Sequence, residues 1–191
     1  FAFNRAGALG STVFTRFRIF NRGTQPLLEV YAGMWADTDV GGIADDLAGC
    51  DPSLGLGYCY NATNTDAVYG ATPPAVGFDI VQGPSDPVTH QPRSLTAFGD
   101  FTASDPLSAL ESFNALVGLE ASGAPIIDPT TALATPFRHP GNPVLHTGWL
   151  DPTPGDKHLL IASGPFTLQP EAYEDVIMAI VVAQGADRLS S

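Results

Sequence analysis

Residues 12–20 alternate along the chain. Val13, Phe17 and Ile19 fall on one side; Arg16 and Arg18 fall on the other with Phe14 and Phe20. Period-two alternation in β-branched and aromatic residues predicts a strand. Asn21-Arg22-Gly23 reads as a turn, and residues 27–35 as the next strand. Residues 37–64 have no period and are rich in Gly and Asp, so they read as a long structured loop of the kind that is functional or stapled. Residues 75–81 alternate again, residues 84–93 form a turn-rich connection, and residues 95–102 read as a further strand.

Asp105 and Pro106 suit the N-cap and first position of a helix. Leu107, Leu110, Phe113 and Val117 then recur near helical spacing, with Gly118 or Gly123 ending the run. Residues 121–156 return to loop, with repeated Pro. Residues 159–162 predict a short strand. Residues 174–184 are apolar on both faces, which suits the centre of a covered sheet. Many short strands with turn punctuation and one short helix near 105–118 predict a mainly β fold, a jelly-roll-like β-sandwich with long loops, as a single domain over 1–191.

Composition narrows the partners. Twenty acidic residues against eight basic ones give a net charge of −12. That field repels nucleic acid and anionic lipid, and no apolar run reaches the roughly 18 residues that span a bilayer. The partners expected therefore exclude nucleic acid and membrane insertion. The chain opens at Phe1 without Met or a signal-peptide pattern and stops at Ser191, which reads as a processed or excised part of a longer protein.

The acidic residues are not evenly spread. Between residues 23 and 92 there are eight Asp and one Glu, and no Lys or Arg. Asp37, Asp39, Asp45, Asp46 and Asp51 crowd into the long loop with no basic neighbour in sequence. A bound cation would relieve their repulsion. Calcium suits oxygen donors in irregular geometry, and Gly41 and Gly42 would let the backbone turn around an ion. The loop is not an EF-hand: counting from Asp37, the sixth residue is Gly42, but the twelfth is Ala48 where a bidentate Glu is needed. The alternative is a solvated acidic loop of Asx-turns. Cys50 and Cys59 are spaced to close a small disulfide loop, worth roughly 2–3 kcal/mol in an oxidising compartment; the alternative is two free buried thiols.

Several stretches resemble large secreted bacterial surface proteins of the kind that end in a type 9 secretion sorting domain. They are Asn21-Arg-Gly23, Tyr31-Ala-Gly-Met-Trp-Ala-Asp-Thr-Asp-Val-Gly41, Asp45-Asp-Leu-Ala-Gly-Cys-Asp51, Tyr60-Asn61, Pro73-Pro-Ala-Val-Gly77, Thr147-Gly-Trp149, Ser163-Gly-Pro-Phe166 and Ala179-Ile-Val-Val-Ala-Gln-Gly185. The resemblance implies an extracellular or cell-surface region of largely unassigned function, and it carries no catalytic residues onto this chain. The sorting domain itself is absent.

No nucleophile elbow, dinucleotide fingerprint or P-loop occurs. His139 and His146 share a Pro/Gly loop at a spacing that is nonspecific for metal, and His90 and His158 stand alone. Trp35, Tyr58, Tyr60, Tyr69 and Trp149 could form a glycan platform, although core packing is the commoner use of such rings. Asn61-Ala62-Thr63 fits the N-glycosylation sequon. The expectation is a non-catalytic, calcium-stabilised structural module. The apolar stretch Phe1-Ala2-Phe3 could add a strand to a neighbouring copy and build a fibre. The alternatives are a calcium-dependent glycan-binding module and a fragment of a secreted hydrolase.

Overall fold

The computed structural model describes residues 1–102 and 105–191. Its strands are β1 (Thr12–Phe20), β2 (Leu27–Asp37), β3 (Asp46–Asp51), β4 (Leu56–Asn61), β5 (Ala75–Gln82), β6 (Ala97–Thr102), β7 (Lys157–Leu168) and β8 (Tyr173–Ala183), with one α-helix, α1 (Ala109–Val117). They form two antiparallel sheets packed face to face. One has five strands in the order β1-β8-β5-β4-β3; the other has three, β2-β7-β6. This is a mainly β sandwich, as the alternation predicted. First pairs with last and second with second-last, in opposite sheets, which is the jelly-roll-like element of the topology.

The strand most apolar in sequence is an interior strand, but its sheet is covered on one face only. β8 sits between β1 and β5, with Val176 and Met178 buried against Ala32, Phe166 and Leu168 of the other sheet. A second and larger cluster joins Phe78, Phe98, Leu159 and Ile161 across the sheets. Sheets stack about 10 Å apart, and glycines let the bulkiest ring fit that gap. A Cβ on Gly57 would meet Phe98 Cε2 and Ile161 Cγ2 at 2.7 Å.

Three expectations need correction. Residues 37–64 are not one loop: they contain the β3–β4 hairpin, in register from Asp46↔Asn61 to Asp51↔Leu56. Gly49 and Gly57, which look like turn residues, instead make room for Tyr58 and Phe98. β7 runs far beyond residues 159–162, because Ser163-Gly164-Pro165 stays extended rather than turning. The helix begins later than Asp105. Ser108 is its N-cap, its Oγ accepting from the Glu111 amide, while the Glu111 carboxylate accepts from the Leu107 amide. Its core-facing residues are Asn114 and Ala115, and the predicted stripe of Leu107, Leu110 and Phe113 is exposed.

The unequal sheets leave one side open. β1 and β2 are both edge strands, and Val13 and Phe17, on the inward face of β1, are 47% and 51% exposed because no strand of the second sheet lies opposite them.

Candidate functional site

The five aspartates of the acidic stretch do not share one site. Asp51 caps the β3–β4 turn: its Oδ1 accepts from the Ser53 amide, the Ser53 hydroxyl and the Leu54 amide. Asp37 ends β2 and faces His158 of β7. Only Asp39, Asp45 and Asp46 stay together, joined by Asp66, which sequence reasoning overlooked. Asp66 lies against Gly41 and Gly42 and accepts from the Gly42, Val68 and Tyr69 amides. Those amides hold its carboxyl below the usual range.

Asp46 is fully buried. Its Oδ2 accepts from the Val40 amide, and its Oδ1 has no partner. Burial, aided by the charges of Asp45, Asp39 and Asp66, pushes its pKa up to about 7 against an ordinary 3.8. A carboxyl that holds its proton more tightly when folded makes stability fall as pH rises from the unfolded pKa to the folded one. Stability is therefore expected to decline between about pH 4 and 7. His158, also raised by its Asp105 hydrogen bond, adds the same sign only above its ordinary 6.5. Urea unfolding from pH 4 to 6 checks this: Asp46→Asn should flatten the slope, and an unchanged slope would refute the assignment.

The disulfide expected between Cys50 and Cys59 does not form. Both are free and buried. Cys50 pairs with Gly57 and Cys59 with Ala48, so the two cysteines are diagonal neighbours on adjacent strands. Such diagonal positions are about 7–8 Å apart, beyond the roughly 4.4–6.8 Å that a disulfide spans. Each thiol instead points at a carbonyl, Cys50 at Arg138 and Cys59 at Thr38, and burial pushes the Cys59 pKa up to about 12. Asn61 is also buried, its Nδ2 donating to the Thr63 and Thr65 carbonyls, which leaves no room for a glycan on it in the folded domain. The aromatic residues are dispersed. Tyr58 and Tyr60 lie beside a groove of about 640 Å³ on the outer face of the larger sheet; Trp149 packs on His139, and Trp35 belongs to the other sheet.

Two clusters that the sequence did not advertise carry most of the charge chemistry. One is internal. Lys157, the only lysine in the chain, is buried with its Nζ 2.7 Å from Asp151 Oδ2 and 3.5 Å from Asp100 Oδ2, donating also to Thr102 Oγ1. Asp151 additionally accepts from the Ala48 and Thr153 amides. His139 Nδ1 faces Asp100 Oδ1 at 3.3 Å. Burial acts to raise the Asp100 pKa, but His139 and Lys157 outweigh it and hold the carboxyl below its ordinary value. A lone Lys beside an apolar strand was the available signal in the sequence.

The other cluster is on the outer face of the smaller sheet. His158 Nδ1 lies 2.5 Å from Asp105 Oδ1; its Nε2 lies 3.6 Å from Asp37 Oδ1 and 3.7 Å from Asp156 Oδ1. Trp35 packs edge-on to this imidazole and lies against Phe101. His90 and His146 join neither cluster.

The open side holds a third feature. Between β1 and β2 runs an apolar groove of about 500 Å³, lined by Phe17, Ile19, Tyr31, Met34, Val176 and Met178. Residues 1–11 have no buried side chain and are paired to the start of β1 through the bridge Ala2↔Val13 and the Phe14 amide donating to Phe1.

Fold and site together define a β-sandwich with one incompletely covered edge and a buried ionic network. No known family, curated protein or solved structure matches the chain.

Proposed function

We propose that this chain is a non-catalytic structural module of an extracellular or cell-surface protein, and that copies join by strand addition at the open edge. The observation that carries this reading is the missing cover over β1. The five-stranded sheet overhangs the three-stranded one, and β2, the neighbouring edge, has a hydrogen-bonded partner on one side only. A strand added to the free edge of β2 would cover Phe17 and Ile19 while satisfying exposed backbone groups.

The occupant we propose is residues 1–11 of a second copy. They bring Phe1, Ala2 and Phe3, exposed in the single chain, to an apolar groove, and they carry one charged side chain, Arg5, toward a body that is strongly acidic. Because the donated segment and the groove are different surfaces of one chain, the contact is heterologous and propagates head to tail. Calcium among Asp39, Asp45 and Asp46 belongs to the same reading, supported by the buried, unpartnered Oδ1 of Asp46. Calcium should then raise the thermal midpoint and abolish the pH slope described above.

The association has a specific test. Phe3→Asp disables the donated segment and Phe17→Asp disables the groove; both positions are exposed, so each variant should fold. Sedimentation should show concentration-dependent oligomers for the parent chain and monomers for either variant alone. Mixed together, the two should form a capped heterodimer and nothing larger, since one intact segment meets one intact groove. A parent chain that stays monomeric at its highest soluble concentration, or variants that still oligomerise, would refute the reading.

A further inference from the structure

We infer that Asp37, Asp156 and His158 form a site for one divalent first-row transition-metal ion, with Asp105 holding the imidazole in place. The inference does not depend on association at the β1–β2 edge.

Two of the donors sit on paired strands. Asp37, the last residue of β2, is paired directly with His158, the second residue of β7, in antiparallel register. Asp156 immediately precedes β7, and Asp105 comes from the segment that leads into α1. The rings of Trp35 and Phe101 pack beside the imidazole on the same face of the sheet. The orientation of Asp37 and His158 is thus set by strand pairing and ring packing.

The separations suit a shared ion. His158 Nε2 lies 3.6 and 3.7 Å from one oxygen each of Asp37 and Asp156, too far for hydrogen bonds. One donor atom from each of the three residues falls within 4.8 Å of the others. Metal bonds of about 2.0–2.2 Å in a tetrahedral site place neighbouring donors roughly 3.3–3.6 Å apart. The two ring nitrogens also have separate duties. Nδ1 is taken by Asp105, which leaves Nε2 to present its lone pair to a metal. A carboxylate behind a ligating histidine fixes the tautomer and strengthens the ligand.

Charge points the same way. Asp37, Asp105 and Asp156 surround one imidazole, and among the described residues none of them pairs with Lys or Arg. The internal group of Asp100, His139 and Asp151 has similar donors but a different answer, because the Lys157 ammonium already occupies the cation position there.

One imidazole with two carboxylates favours a divalent transition ion over calcium, which takes six to eight oxygens. Asp37 is exposed and Asp156 half-exposed, so coordination positions remain open to water. A cleft of about 340 Å³, lined by Trp35, Asp105, Pro106 and Leu160, lies beside them.

Cobalt(II) is the probe, since its visible absorption reports ligand type. Titration of the chain should give one equivalent of bound cobalt by absorption and calorimetry, undisplaced by excess calcium. His158→Gln should abolish the absorption band, and Asp156→Asn should weaken binding, with circular dichroism unchanged in both. Asp105→Asn should weaken affinity by about 10–100-fold, the usual effect of removing such a support. Asp45→Asn should leave it unaltered. Absence of stoichiometric cobalt binding, or binding that survives His158→Gln, would overturn the inference. Loss of binding in Asp45→Asn would overturn it too, and would place the ion in the acidic loop.

Discussion

Lys157→Met is expected to destabilise the domain by about 3–5 kcal/mol, the range for removing one partner of a buried ion pair. Methionine nearly matches the lysine in length, so the loss would come from charge and not from a void. Without the ammonium, the carboxylates of Asp151 and Asp100 stay buried with side-chain exposures of only 2% and 7% and no full counter-ion. Thr102 Oγ1 also loses its donor. Two further measurements separate this cause from a packing defect. The double variant Lys157→Met with Asp100→Asn should recover part of the loss, because one orphaned charge is gone. The penalty should also shrink as pH falls, since a carboxyl raised by burial regains stability on protonation. Urea unfolding at pH 7 and pH 5 reads both effects. A loss below about 1 kcal/mol, the scale of a surface ion pair, would mean that Lys157 is not the internal counter-ion.

Phe98→Ala is expected to cost a similar amount, about 3–5 kcal/mol, for a different reason. The ring is fully buried at the meeting of the two sheets, in the cluster with Phe78, Leu159 and Ile161. It also covers Gly57, whose missing side chain leaves the space that the ring fills. Truncation removes buried apolar area and opens a cavity that the rigid sheets cannot close. The same geometry predicts a suppressor. Gly57→Ala in the parent chain forces a methyl into the Phe98 ring and should destabilise it by about 1–3 kcal/mol. Placed with Phe98→Ala, that methyl enters the cavity and should recover part of the loss, its approach to Ile161 Cγ2 still being close. A thermodynamic cycle over the four chains should show strong non-additivity; simple additivity would mean that the two positions do not share this space.

The open edge and these stability terms belong to different parts of the sandwich. The ionic network and Phe98 hold together β3, β4, β6 and β7, whereas the proposed association uses β1 and β2. Outward from the groove, Arg16 and Arg18 pair with Asp175 on the other face of β1. Charged side chains are a common guard against unwanted edge pairing, so β2 is the freer edge for an incoming strand.

Local pattern accounts for what could be read in advance. β1, β2 and β5 were legible because side-chain direction alternates strictly along a strand, and β8 because of its continuous apolar run, although Ile177 and Val181 on its outward face are only half-buried. The hairpin of β3 and β4 was not legible, because Asp at its ends and Gly within it carry no alternation. Their fit depends on Tyr58 and Phe98 reaching in from other strands. The helix was legible as an element, but the face it turns to the core was not.

The sequence by itself determined a mainly β chain, a strongly acidic one, and one with an acidic stretch that lacks basic neighbours. Tertiary structure alone decided the use of those charges. Asp37 went to His158, Asp51 to a turn, and Lys157 to Asp100 and Asp151. It also decided that Cys50 and Cys59 stand diagonally and unbonded. The physical reason is register. Periodicity tells which way a side chain points from its own strand, but the pairing of strands far apart in sequence sets which groups meet, and a shift of one residue would exchange every partner.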